Sequence, residues 1–246
     1  MPIDPFRLPN FIDLDLGTRI GGGQYYNVYE FPDLPGVLVK TVRADLADEN
    51  GFHRKANPIR RRRLLGIYGA MARELNEFLI QLRRRRGMLG KLPFARPYGF
   101  VQTREGLGLV VEKIADRTGR IAPTLRDLCR SGRFEPFHLT ALNTLLDRCK
   151  REHVVLGDVN GQNIVFTDGR DGEPEFVVID GLGEKAAIPI HSVSRYFNGR
   201  RVERLRQRML ADIQKWSRQA LGHSLAAAAT ITPTRRADET QTVKRE

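Results

Sequence analysis

The sequence has little that could staple, anchor or metallate it. It holds two cysteines and one tryptophan in 246 residues. Cys129 and Cys149 are too few for the disulfide framework of a small secreted domain, and neither has a Cys or His neighbour at metal-ligand spacing. Two buried free thiols are expected, and zinc is left without a site. No apolar run approaches the ~18–20 residues of a membrane span. The first ten residues, MPIDPFRLPN, have neither a basic n-region nor an apolar h-region, so a cytoplasmic protein is expected. Internal repeats are absent. What the chain does have is 41% apolar residues, too many for a wholly disordered protein. Its length allows one large domain or two small lobes around a core that needs no disulfide or structural metal.

Negative charge is also scarce, and its scarcity is local. The formal net charge is +12, and residues 53–96 hold thirteen Lys and Arg against only Glu74 and Glu77. Residues 195–218 hold eight against Glu203 and Asp212, and the remainder is mildly acidic. Two basic zones of this kind suit an anionic partner such as a nucleic acid, an acidic protein face, a lipid surface or a nucleotide. Four arginines, Arg60, Arg61, Arg62 and Arg63, follow the helix-start signal Asn57-Pro58, where the positive helix end disfavours cations. They are a candidate anion site unless the helix begins later. Arg200, Arg201, Arg204 and Arg208 form a stripe at helical spacing that is expected to be a solvated face.

Periodicity divides the chain into a strand-rich start and a more helical remainder. Apolar and polar residues alternate through the first 52 residues around Gly21-Gly22-Gly23, predicting a small antiparallel sheet. Leu64, Tyr68, Met71, Leu75, Phe78 and Leu82 step by three and four, predicting one long helix from Pro58 to Gly87. A strand pair is predicted over residues 98–102 and 107–114. Helices are predicted over 124–129, 136–152 and 199–220, with short β-like runs at 154–156, 163–166 and 176–179. Residues 223–246 have no pattern that could bury a face and are expected to be disordered.

Several residues along this path suit phosphate chemistry. Glycines between two strands permit positive φ and let backbone N–H groups approach a phosphate, although such a run is also an ordinary hairpin. Lys40 ends an apolar run and projects from the same sheet face as Leu38. It acquires significance with an acidic partner, and helix geometry selects Glu74, roughly 80° from the centre of the apolar stripe, over Glu77, roughly 140° away and expected to face solvent. The densest signal is HVVLGDVNGQNIVF, residues 153–166, followed by VVIDGLG, residues 177–183. Asp158, Asn163 and Asp180 supply hard oxygen ligands or proton acceptors suited to Mg²⁺ and phosphate transfer.

Glycine hairpin, strand lysine, helix glutamate, Asp-x4-Asn loop and strand-terminal Asp-Gly stand in the order of the protein-kinase signature set. The chain resembles the protein-kinase-like superfamily over residues 15–210, and more narrowly the bacterial YrbL family of PhoP regulatory network proteins. The resemblance implies an α+β, two-lobed protein-kinase-like fold. Residues 1–114 would form a small antiparallel-sheet N-lobe and residues 115–222 a reduced helical C-lobe. It also implies ATP and Mg²⁺ as cofactors. Gly21 and Gly23 would cover the phosphates, Val28 and Leu38 would face the adenine, and the segment from Glu112 to Ile114 would read its edge. Lys40, paired with Glu74, would hold the phosphates, Asp158 would orient the acceptor hydroxyl, and Asn163 and Asp180 would hold Mg²⁺.

The departures are specific. Tyr26 stands where the third loop glycine would be, Gly157 precedes Asp158, Asn160 replaces a lysine, and Gly181-Leu182-Gly183 follows without Ala-Pro-Glu. The expectation is an ATP·Mg-dependent phosphotransferase acting on a hydroxyl of an unidentified acceptor. Its rivals are a catalytically silent nucleotide-binding regulator and a basic nucleic-acid-binding module, the latter lacking any helix-turn-helix, zinc or aromatic-platform signature.

Overall fold

The alternating first third of the chain forms sheet. Strands β1 (Thr18–Gly22), β2 (Tyr26–Glu30) and β3 (Val37–Val42) run antiparallel. After helix α1 (Gly69–Arg84), the hairpin β4 (Pro97–Thr103) and β5 (Gly106–Glu112) joins through β5, giving one five-stranded sheet in the order β1-β2-β3-β5-β4. This computed structural model describes residues 9–23, 25–54, 65–87, 90–186 and 188–230, with the side chains of its last helix described to residue 221.

Strand alternation gives the sheet two apolar faces. On one, Val37, Val39, Val101 and Val110 pack with Ile12, Leu14 and Phe31. On the other, Tyr26, Val42, Leu109 and Val111 pack against Met71 of α1. Lys40 lies on this second face because it pairs in register with Val28 and Leu109.

The rest of the chain is helices around a small hairpin. Helix α2 (Leu125–Arg130) starts from a capping box in which the Thr124 hydroxyl accepts from the Asp127 N–H and the Asp127 carboxylate accepts from the Thr124 N–H. Helix α3 (Pro136–Arg151) has proline in its first turn. Strands β6 (Ile164–Thr167) and β7 (Glu175–Val178) pair antiparallel and are followed by α4 (Ile190–Val193) and α5 (Arg195–Thr230). Phe94, Leu125, Leu142, Leu146, Ile164 and Phe176 form a core that Val202, Leu205 and Met209 of α5 close. Cys129 and Cys149 are buried free thiols within it, and burial pushes the Cys129 thiol up to about 11. Among the described residues no helix is long and apolar enough to cross a membrane.

Three expectations need correction. A single helix from residue 58 to 87 does not form, because Gly66 takes φ +48 and residues Gly66–Tyr68 make a 3₁₀ turn before α1. Residues 55–64, including Arg60, Arg61, Arg62 and Arg63, lie outside the described residues. Residues 154–156 form no strand; Leu156 makes one isolated bridge to Leu182. The last helix runs past residue 220 to Thr230, through a run of alanines, the strongest helix formers; residues 231–246 lie outside the description.

Candidate functional site

The site is built where the inner face of the sheet meets α1 and the loops flanking the β6–β7 hairpin. Lys40 is only 6% exposed, and its Nζ donates to Glu74 Oε2 at 3.1 Å and to the Ile179 carbonyl at 2.7 Å. One ammonium thus ties β3 to α1 and to the residue before Asp180. Burial works against its charge, but the Glu74 and Asp180 carboxyls beside it raise its pKa on balance, so it stays an ammonium.

The two acids divide the remaining charge between them. Burial, with Asp180 nearby and hydrogen-bonded, raises the Glu74 carboxyl well above the usual range, against the pull of Lys40. Burial also works to raise Asp180, but Lys40, the Glu74 hydrogen bond and the Gly181 N–H, 2.6 Å from Oδ1, hold it below its ordinary value. Burial thus disfavours the Glu74 carboxylate more than that of Asp180, with both beside one lysine.

Hairpin register brings in Asn163. Because Ile164 pairs with Val178, Asn163 falls opposite Ile179, and the Ile179 N–H donates to its carbonyl at 2.9 Å. The Asn163 side-chain amide donates to the Asp158 carbonyl at 3.1 Å, which joins the Asp158 loop to the same cluster. Asp158 itself is exposed, and Lys185 Nζ lies 2.5 Å from its Oδ2.

Glycine makes this loop packing possible. The Asp158 N–H donates to the Gly181 carbonyl and the Gly183 N–H to the Val155 carbonyl, both at 2.8 Å, so the two loops run backbone to backbone. A Cβ at Gly157 would fall 2.2 Å from the Gly183 carbonyl oxygen. One at Gly181, where φ is +84, would fall 2.7 Å from that of Asp158. The glycines at 157, 181 and 183 are therefore required by close approach.

The glycine run at 21–23 behaves differently. None of the three takes positive φ; Gly21 and Gly22 pair as ordinary strand residues with Val28 and Asn27. A Cβ on Gly21 or Gly23 would meet nothing within 4 Å. Conformational freedom is thus not the reason for glycine there, and what remains is a bare surface over the strand turn. Val28 and Leu38 are half-buried on the Lys40 face. The segment leaving β5 is knitted to its neighbours. The Glu112 N–H donates to the Arg96 carbonyl, its carboxylate accepts from the Arg96 N–H and pairs with Arg170, and the Ile114 carbonyl accepts from the Ala122 N–H. Ile114 is buried with Ala95, Val165 and Val177.

Glu77 was misplaced by sequence reasoning. It is 1% exposed, accepting from the Gln81 side chain at 2.8 Å and from the Val155 N–H at 3.2 Å. The face of α1 that turns inward carries Met71, Glu74, Glu77 and Gln81, while Leu79 is left exposed. A stripe drawn through apolar residues found Glu74 at its border but could not show that Glu77 is buried as well. Lys185 was also missed, although its position five residues after Asp180 was the available signal.

Tyr26 does not stand over the glycine turn. Its ring is buried beneath the sheet, and its hydroxyl is buried with no hydrogen-bond partner among the described residues. Burial and the nearby Glu74 and Asp180 carboxyls raise its pKa. Replacing it by phenylalanine removes an unsatisfied polar atom and little else. Y26F is expected to be at least as stable as the wild type in urea melts, by up to about 1 kcal/mol. A loss of stability would show that the hydroxyl has a partner.

An antiparallel sheet whose inner face buries a lysine between two acids, backed by helices and a zipped pair of glycine loops, defines a mixed α+β class with a polar centre. The chain belongs to the family described as PhoP regulatory network protein YrbL, whose model matches residues 12–214. It is 28% identical over 206 residues to "Uncharacterized protein YrbL" of Escherichia coli (strain K12), covering 81% of this chain and 87% of that protein. The Shigella flexneri protein of the same name matches equally.

Proposed function

We propose that the chain is a two-lobed, kinase-like phosphotransferase that uses ATP and Mg²⁺, the sheet with α1 forming one lobe and residues from 115 the other. The observation that supports it most is the buried Lys40–Glu74 pair near the Asp180 charge, because a desolvated lysine paired with one acid close to another is a costly arrangement with no stabilising necessity. The triphosphate would take the Lys40 contact now made by the Ile179 carbonyl.

Asn163 and Asp180 are the residues that would hold Mg²⁺. One carboxylate and one carboxamide suit an ion that draws its other ligands from phosphate and water. The bound ion supplies neutralisation of phosphate charge. Asp158, exposed and able to exchange Lys185 for a substrate, would accept the proton of the acceptor hydroxyl as its oxygen bonds to the γ-phosphorus and the bond to ADP breaks. A place for this activity in a bacterial regulatory circuit draws its support from the family description alone.

Gly21 provides a test free of folding artefacts. G21A meets no atom and needs no unusual φ, so its thermal stability is expected to match the wild type. Calorimetry with ATP·Mg²⁺ should show binding to the wild type and an affinity at least several-fold weaker in G21A, because the methyl blocks the approach of phosphate to the strand turn. Absence of wild-type binding, together with no label transferred from γ-labelled ATP, would reject the proposal.

A further inference from the structure

The arginine stripe of α5 is more than a solvated face. Together with α4 it lines a cavity of about 730 Å³, bounded by His191, Arg200, Arg201, Arg204, Gln207 and Arg208. That volume suits a small molecule. The acid lining it, Glu203, is turned to Arg206 at 3.2 Å and to the Gln207 amide at 3.3 Å, and Glu184 lies behind it, paired with His191 at 3.0 Å. Arg206 itself points away, to Asn143 and Asp147 of α3.

The other four arginines make no ion pair among the described residues, yet two are firmly placed. Arg201 donates to the Leu156 carbonyl at 2.7 Å and to the Gly157 carbonyl, the two residues before Asp158. Arg200 is held by Tyr196, with Nη1 3.2 Å from the hydroxyl and the guanidinium 5.8 Å from the ring centre. Arg204 and Arg208 are exposed; burial, with the charges of Arg208 and Arg204, depresses the pKa of Arg201 against the opposing pull of the Glu184 and Asp158 carboxylates. Four guanidiniums at i, i+4 spacing repel one another along the helix. Anchoring two of them around a concavity in which, among the described residues, no carboxylate ion-pairs with any of the four leaves their charge available to an anion, and the planar fork of arginine matches phosphate oxygens in pairs.

We propose that this cavity binds a small molecule bearing phosphate groups, and that this molecule is the acceptor whose hydroxyl is presented to Asp158. The binding stands on the arginine geometry alone; the role as acceptor rests on the phosphotransferase reading. Arg201 couples the two, because its guanidinium bridges the cavity and the backbone that carries Asp158.

The test is calorimetry with pyrophosphate, in EDTA and without nucleotide, at fixed ionic strength, beside cosedimentation with phosphatidylglycerol vesicles as the lipid source of the same chemistry. The wild type should bind, and R204E/R208E, which alters only exposed side chains, should bind at least tenfold more weakly. R130E, at the exposed end of α2, should bind like the wild type. Pyrophosphate binding lost in the double variant supports a soluble ligand, and vesicle capture alone, lost in the same way, supports a phosphate headgroup. No capture of either, or equal capture by the double variant, overturns the proposal. A wild type that binds pyrophosphate through Arg204 and Arg208 but never binds ATP·Mg²⁺ would sink the nucleotide reading and leave this site standing.

Discussion

Alanine at position 181 is expected to lower stability by about 3 kcal/mol and the melting temperature by roughly 6–12 °C for a chain of this size. Two separate costs combine there. A non-glycine residue held at φ +84 is strained by about 1–3 kcal/mol. The new Cβ would also lie 2.7 Å from the Asp158 carbonyl oxygen and 2.8 Å from its carbon, which are backbone atoms and cannot rotate away. Relief requires the two loops to part, which breaks the bond from the Asp158 N–H to the Gly181 carbonyl. Gly132 separates the costs, since it has φ +70 but an added Cβ meets nothing within 4 Å. G132A should lose only the strain, about 1 kcal/mol. Equal melting temperatures for G181A and G132A would mean that the loops are not in contact. Any phosphotransfer should fall further in G181A than its stability loss explains, because the same shift separates Asp158 from Asp180.

Parts of this site's geometry were legible in the sequence, though the close approach at these glycines was not. Asp158, Asn163 and Asp180 announce themselves because short polar residues between apolar runs have few structural uses at that density, and the hairpin register then brings two of them to one end. Lys40 was legible through strand alternation, which fixes the face of a side chain within a few residues. Glu77 was not legible. Its burial depends on the Gln81 amide and the Val155 N–H, which lies 78 residues away, and no local pattern encodes a hydrogen bond to a distant backbone. Gly66 hid for a related reason. Apolar spacing continued straight across it, while its φ of +48 is set by Gly51, whose carbonyl accepts from the Ile67 N–H at 3.0 Å. The stripe of Arg200, Arg204 and Arg208 was visible as a pattern, but its meaning lay in the concavity and in the grip of Arg201 on Leu156 and Gly157, both tertiary facts.

Methionine in place of Lys40 should separate structure from ligand binding at the centre of the site. It keeps most of the stem volume and removes the charge. Breaking a buried ion pair by deleting one partner ordinarily costs about 3–5 kcal/mol, because the other charge is stranded. Here burial already disfavours the Glu74 carboxylate, whereas Asp180 is held below its ordinary value, so the stranded charge falls chiefly on Asp180. Without the ammonium both carboxyls are pushed upward. A carboxyl whose pKa is higher folded than unfolded binds more protons in the native state, so stability falls as pH rises from the unfolded value through the folded one. The stability gap between wild type and K40M should therefore be small near pH 5 and widen toward pH 8, as read by urea denaturation. At either pH, affinity for ATP·Mg²⁺ should drop at least a hundredfold, since the lost group is a cation buried beside Asp180 that a triphosphate would meet. A gap independent of pH would contradict the coupling of both carboxyls to Lys40, and unchanged nucleotide affinity would remove Lys40 from the binding site.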